Sequence, residues 1–258
     1  PLFPSRRRHT RLGRWSRGLG DVYKRQERVW TEMERALGER NPDVFVEVLR
    51  ECGALAELLP ELEALFGVPQ TAEHHPEIDS GVHTLMALQQ AASLSQSTEV
   101  RFAVLLHDLG KGTTPEDQWP RHIAHEKRGV KLVKQACRRL KAPNRYRDLA
   151  LLACEYHLHC HRALELRGRT ILKLLNATGA LRQPERFEAF LLACEADARG
   201  RLGLEDRPYP QADYLRHALA IAGEVTAAVF RDQGLTGAAL GEAINAERVK
   251  QLEALRDG

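Results

Sequence analysis

The stretch Val100-Arg101-Phe102-Ala103-Val104-Leu105-Leu106-His107-Asp108-Leu109-Gly110-Lys111 decides the fold. If helical, the run up to Leu106 is apolar on nearly every side, and such a helix belongs inside a protein. It ends in an imidazole beside a carboxylate. An ionised Asp108 there is costly unless it is paired or bound to a cation. The two side chains make a mixed nitrogen and oxygen donor pair suited to a divalent metal ion. Partners are on offer in His83, one helix earlier, and Asp197, far downstream.

The flanking sequence reads as helix after helix. Val29, Trp30, Met33 and Leu37 form one apolar stripe. Asn41-Pro42-Asp43 is a start signal, with Asn as N-cap and Pro in the first turn, and that helix stops near Gly53. A short helix precedes Gly67-Val68-Pro69, and the polar stretch 70–79 is a connector. Ser80 is expected to cap the helix that holds His83, Met86 and Leu94, and Ser97 or Thr98 the next. Gly110 and Gly112 are expected to close the His107-Asp108 helix, with a loop from Thr113 to Pro120. The helical period resumes at His125, again from Asn144, and again at Gln183-Pro184-Glu185. Ala212 to Gly258 is helical by composition, with a break at Gly234-Leu235-Thr236-Gly237. No segment alternates as a strand would and no internal repeat occurs. The class is all-α.

Composition narrows the function. With 258 residues and 43% hydrophobic content, the chain can bury one sizeable core or two small ones. Five cysteines (Cys52, Cys137, Cys154, Cys160, Cys194) without a C-x-x-C pair argue against a disulfide framework or zinc ribbon, and a reducing cytoplasm fits best. No apolar run approaches the roughly 20 residues that span a bilayer. The formal net charge of +3 is unevenly placed: residues 1–26 hold eight basic residues and one acidic, a net +7, so the rest is −4. That head segment lacks apolar periodicity and begins with Pro1, as a fragment does. It reads as a basic RNA-binding arm, a transit peptide or foreign sequence. We favour foreign sequence, because Gly20-Asp21-Val22-Tyr23-Lys24-Arg25-Gln26 resembles translated adaptor.

Each candidate site residue has a plain alternative. Phe187, Phe190, Cys194 and Asp197 share one helical face, so Asp197 either ligates a metal or pairs with Arg199 or Arg201. His83 is a ligand or a satisfied core histidine. His122 and His125 flank the loop after the dyad, where they touch substrate phosphate or a second ion, or simply face solvent. His157 and His161, at i and i+4, lie in a His-rich tract without a fourth ligand at zinc-finger spacing, and a substrate-facing His157 is the better reading. Lys131, Lys134, Arg138 and Arg139 form a nucleic-acid-binding cluster or a solvated helix face.

The order His83, His107-Asp108, Asp197, with Leu109-Gly110-Lys111 following the dyad, resembles the HD metal-dependent phosphohydrolase superfamily. Glu27-Arg28-Val29-Trp30, Leu65-Phe66-Gly67-Val68-Pro69, His75-Pro76-Glu77-Ile78-Asp79, Trp119-Pro120-Arg121-His122 and Glu195-Ala196-Asp197-Ala198-Arg199-Gly200-Arg201 are similar to the bacterial multifunctional CCA proteins. That resemblance implies a C-terminal portion of such a protein. Neck and body helices over 27–70 would bind tRNA, an HD phosphohydrolase domain would span 71–204, and a helical tail 205–258. The nucleotidyltransferase head's Gly-Gly, Asp-x-Asp and Arg-Arg-Asp motifs do not occur here, so these residues are not expected to add CCA. It further implies a divalent ion, nickel or another transition metal or else magnesium, held by His83, His107, Asp108 and Asp197. His107, Asp108 and Lys111 would be catalytic, and the substrates 2′,3′-cyclic nucleotides, 2′-nucleotides or small phosphomonoesters. Two alternatives remain: a non-catalytic helical tRNA-binding body, and an autonomous nucleotidase.

Overall fold

Helix α6 (Thr98–Leu106) is the axis of the molecule: every residue from Val100 to Leu106 is buried, the charged Arg101 included. The structure, a computed structural model, describes residues 27–73 and 75–257, and the basic segment 1–26 lies outside them. Among the described residues the architecture is all-α. The long elements are α1 (residues 27–38), α2 (Pro42–Glu51), α5 (Ser80–Leu94), α6, α7 (His125–Leu140), α8 (Asn144–His161), α9 (Gly168–Ala177), α10 (Pro184–Arg199), α11 (Pro210–Glu224) and α12 (Gly237–Asp257). Two short helices, α3 (Ala54–Leu58) and α4 (Pro60–Glu63), join α2 to the connector.

Helices α5, α8 and α10 surround α6, and α7 packs on α8. At the other end α12 lies against α9 and α11. One hydrophobic core runs from Trp30 to Leu252 without a break at residues 70 or 204, both of which fall in connections between helices. The stripe on α1 is buried through Trp30, Met33 and Leu37, and the Trp30 ring meets Phe102 and Tyr146 edge-on.

Arg101 explains how a charge enters this core. Its guanidinium donates to the carbonyls of Leu37 (2.7 Å) and Glu39 (2.8 Å) at the end of α1, and to Ala92 and Ser95 at the end of α5. One cation therefore satisfies the orphan carbonyls of two helix C-termini and favours both dipoles.

The helix starts differ from expectation in instructive ways. Asp79, not Ser80, caps α5: one carboxylate oxygen accepts from the amides of Gly81 (2.8 Å) and Val82 (2.9 Å), the other from Gly67 (2.6 Å). A carboxylate can tie the Gly67 turn to the helix start in this way, whereas a hydroxyl is too small. Asn41 does precede α2, but its side chain makes no capping bond. Ser97 caps α6. Gly110 and Gly112 do not close that helix, which ends at Leu106 and continues through a 3-10 turn, Leu109–Thr113. Gly110 is there for close approach, since a Cβ would stand 1.9 Å from the His125 carbonyl oxygen. The expected loop after it contains another short 3-10 turn, Glu116–Gln118.

Candidate metal centre

Five segments deliver the site. His83 comes from the first turns of α5, His107 and Asp108 from the end of α6, His125 from the first residue of α7, His157 and His161 from the last turns of α8, and Asp197 from the last turn of α10. His83, His107, Asp108 and Asp197 are each at most 3% exposed. Close approach of α10 to α5 depends on Gly200, where a Cβ would stand 2.3 Å from the Ala87 Cα.

The side chains divide into two sets that meet at Asp108. His83 Nε2 lies 3.0 Å and His107 Nε2 3.5 Å from Asp197 Oδ1, and His107 Nε2 lies 3.2 Å from Asp108 Oδ2. On the other side, Asp108 Oδ1 is 3.1 Å from His125 Nε2 and 3.6 Å from His157 Nε2, and those two ring nitrogens are 3.2 Å apart. Of the four residues read as ligands from the sequence, His83, His107 and Asp197 bring their donor atoms within 4.8 Å of one another, and Asp108 adjoins that set through His107. His125, read as touching substrate phosphate or a second ion, and His157, read as facing substrate, both aim at the dyad carboxylate.

Tautomers follow from the outer partners. Nδ1 of His107 faces the Val104 carbonyl at 2.7 Å, Nδ1 of His157 the Ala153 carbonyl at 2.9 Å, and Nδ1 of His125 the His122 carbonyl at 3.0 Å. His83 Nδ1 has both the Gly200 carbonyl (3.0 Å) and Glu77 Oε1 (3.1 Å). A carbonyl can only accept, so each Nδ1 carries the proton and each Nε2 presents a lone pair. Those lone pairs point at carboxylate oxygens and at one another, acceptor against acceptor. His107 Nε2 and Asp108 Oδ1 are buried with no hydrogen-bond partner.

Only a positive centre reconciles such an arrangement. Two ligands about 2.1 Å from one ion stand about 3.0 Å apart at a right angle and about 3.4 Å at the tetrahedral angle. The donor separations of 3.0 and 3.2 Å in the first set fall in that range, and 3.5 Å lies just above it. Asp108, His125 and His157 also bring their donor atoms within 4.8 Å of one another, so the carboxylate can serve two neighbouring positions.

Without an ion, protons take up the strain. Burial opposes charge on His107, but Asp108 and Asp197 overcome it and push its pKa up to about 10. Burial likewise opposes ionisation of Asp108 and Asp197, yet the His107 charge, with Lys111 beside Asp108 and His161 beside Asp197, holds both well below the usual carboxylate range. Desolvation lowers His157 to about 3, so that ring stays neutral.

Lys111 bridges inward: its ammonium lies 2.5 Å from Asp108 Oδ2 and donates to Gln70 Oε1. It lines a cleft of about 260 Å³ with His75, Arg121, His122 and His125. His122 departs from expectation, because its ring nitrogens face Thr114 Oγ1 (3.0 Å) and the Pro69 carbonyl (2.8 Å), leaving neither for a substrate. His122 and Ala124 both adopt positive φ, a strain held where the chain turns into His125.

Three residues given no role in the sequence reading support the site. His161 donates from Nε2 to Asp197 Oδ2 at 2.7 Å, fixing one oxygen so that the other faces His83 and His107. Tyr209 holds the far side of that ring at 2.8 Å. Glu77 orients His83, and its partner His75 is lowered to about 4, chiefly by burial. The His161 ligand-tract pattern was the one visible signal. Asp197 pairs with neither expected arginine: Arg199 bonds Glu195 at 2.8 Å, and Arg201 makes no ion pair with any described residue.

The basic cluster on α7 is only partly free. Arg139 is committed to Glu61 and the Leu58 carbonyl, locking α7 to α3 and α4. Lys131 is exposed, and Lys134 and Arg138 line a groove with Lys141 and Arg147.

The HD domain profile matches residues 81–194, the span that holds every ligand candidate except Asp197. A second profile, described as the probable RNA and SrmB- binding site of polymerase A, matches residues 25–66. The chain is 61% identical over 230 residues to a multifunctional CCA protein of Thioalkalivibrio sulfidiphilus, covering 89% of this chain and 56% of that protein. A multifunctional CCA protein of Teredinibacter turnerae is 55% identical over the same shares, and one of Hahella chejuensis 56% identical over 88% and 54%. The chain thus spans about half the length of the curated relatives it matches.

Proposed function

Because the chain belongs to the multifunctional CCA protein family and carries an HD domain, we propose that its buried His/Asp centre is a metal-dependent phosphohydrolase site. The substrates are small phosphoesters: 2′,3′-cyclic nucleotides, 2′-nucleotides and phosphomonoesters. The observation that carries this reading is the facing of ring lone pairs and carboxylate oxygens across His83, His107, Asp108 and Asp197, which a divalent cation neutralises without the additional proton that His107 otherwise takes up. The donor set is mixed nitrogen and oxygen, which suits nickel or another transition metal and also admits magnesium.

The chemistry a bound ion supplies is a water acidified towards neutral pH and a sink for charge on the phosphoryl oxygens. The protein does the positioning. Backbone carbonyls and Glu77 fix the imidazoles in the tautomer that leaves Nε2 free, and His161 fixes the Asp197 carboxylate. Lys111 sits between the dyad and the cleft, where its ammonium meets phosphate charge. Burial of the site strengthens each of these interactions.

RNA, in the form of tRNA, is the proposed macromolecular partner. The RNA-binding profile over 25–66 and the groove lined by Lys134, Arg138, Lys141 and Arg147 support it. No helix among the described residues is long and apolar enough to cross a membrane.

The test is metal analysis of the purified chain combined with hydrolysis of 2′,3′-cyclic AMP. The reading requires bound divalent metal and turnover that a chelator abolishes and added nickel or another transition ion restores. A chain that binds no ion tighter than millimolar overturns it.

A further inference from the structure

The larger cleft beside the metal centre is not the one that Lys111 lines. It has a volume of about 500 Å³ and adjoins Asp197 through His161; Arg199, Arg201, Arg207, His161, Tyr209 and Gln211 form its wall. No carboxylate lines it. Arg201 and Arg207 make no side-chain hydrogen bond or ion pair with any described residue. The Nε atoms of Arg199 and Arg201 and the Gln211 carbonyl oxygen are buried without partners. Unpaired guanidinium donors withdrawn from water are costly, and an anion with several acceptor oxygens relieves that cost.

The cleft is joined to the reactive centre by one side chain. His161 lines it and at the same time donates to Asp197 Oδ2. Leu158, three residues earlier on the same face of α8, lines the Lys111 cleft. Two cationic recesses therefore adjoin one buried centre, one with Lys111 and Arg121, the other with Arg201 and Arg207 beside the Glu195-paired Arg199.

A mononucleotide offers one phosphate to fill two such recesses. A strand end offers two: the terminal ester to be hydrolysed and the phosphodiester one nucleotide back. Leu164, Pro208 and Pro210 give the arginine cleft an apolar wall on which a ribose or base can rest. We propose that the Arg199–Arg201–Arg207 cleft is a subsite for the penultimate phosphate of an oligoribonucleotide, so that the centre acts on RNA 3′ ends in preference to free nucleotides. The identity of the terminal group rests on the phosphohydrolase reading; the arginine contacts do not.

The experiment is calorimetric titration of the purified chain with adenosine 3′-monophosphate and with the dinucleotide ApAp, which adds one internal phosphodiester. The dinucleotide should bind at least about tenfold more tightly, the gain expected of one well-made charge-assisted contact pair. In Arg201→Ala/Arg207→Ala that ratio should collapse to less than about twofold, and lysines at both positions should restore part of it. Should the double variant not fold, Arg207→Ala alone, at an exposed position, should still reduce the ratio by about threefold. Equal affinities in the parent chain, or an advantage that survives the arginine changes, overturn the subsite. A tenfold ratio in a chain that hydrolyses no phosphoester would instead leave the subsite standing and sink the phosphohydrolase reading.

Discussion

Nε2 of His83 lies 3.0 Å from Oδ1 of Asp197, across 114 residues of sequence. The His83 proton is committed on the other ring nitrogen to Glu77 and Gly200, so this contact sets a lone pair against a carboxylate. It joins the start of α5 to the end of α10 through whatever positive charge sits between them.

Asp197→Asn should therefore remove the ion more than it removes the fold. An amide keeps the volume and still bonds His161, but loses the charge. Changes at residues that merely support a ligand cost about 10–100-fold in metal affinity, so the loss here should exceed about 100-fold. Metal content after dialysis and 2′,3′-cyclic AMP turnover should fall together. Retention of stoichiometric metal would place the ion elsewhere.

Asp108→Ala separates the enzyme from a binding module. It takes the carboxylate away from both donor sets at once, and hydrolysis should drop to background. tRNA affinity should hold within about twofold, because the proposed contacts come from cationic side chains on other surfaces. Charge reversal at Lys134 and Arg138, in turn, should weaken tRNA binding and shrink its salt dependence by about one to two ions. Hydrolysis undiminished in Asp108→Ala would leave only the binding role.

Most of the helical frame is readable from sequence because its signals are local. Helix α6 is apolar on all sides, α10 has Gln183-Pro184 at its start, and Trp30, Met33 and Leu37 mark a face. Helix α9 is not so marked: it follows Arg167 and opens on Gly168, with neither a capping side chain nor an acidic first turn. In the site, His83, His107, Asp108 and Asp197 are legible because a buried carboxylate demands a partner. The roles of His125, His157 and His161 depend on where Nδ1 points, and that is set by carbonyls of the folded backbone. Glu77 lies in a polar connector that looks solvated, although its side chain is 2% exposed.

Gly110→Ala probes the approach of the dyad turn to α7. The new Cβ would stand 1.9 Å from the His125 carbonyl oxygen and 2.8 Å from the Gly129 amide, both backbone atoms that cannot swing away. Stability should fall by at least about 2 kcal/mol in urea melts, with weaker metal binding because His125 is pushed off Asp108. Gly241→Ala, in α12 with nothing within 4 Å, should instead be neutral or stabilising by up to about 1 kcal/mol. Equal effects at the two positions would mean that the turn does not pack against α7 this closely.

Metal removal should change the sign of the pH dependence of stability. In the ion-free chain His107 has a folded pKa pushed up to about 10, against an ordinary value of 6.5, despite its burial and because of Asp108 and Asp197. A raised pKa means that the folded state holds the proton more tightly than the unfolded one. Its contribution is complete below about 6.5 and is lost as pH rises towards 10. Asp108 and Asp197 act oppositely: held below the ordinary 3.8, they stabilise above that value and cease to as pH falls beneath it. The chelated chain should thus be most stable between about pH 4 and 6.5 and should weaken steadily from pH 7 to 9. With the ion bound, His107 is a neutral ligand and its proton has been displaced, so raising the pH from 6 to 8 should tighten the ion and strengthen the fold. Urea melts at pH 6, 7, 8 and 9, with and without chelator, give both slopes. Parallel curves would show that the ion and the His107 proton do not compete for the same place.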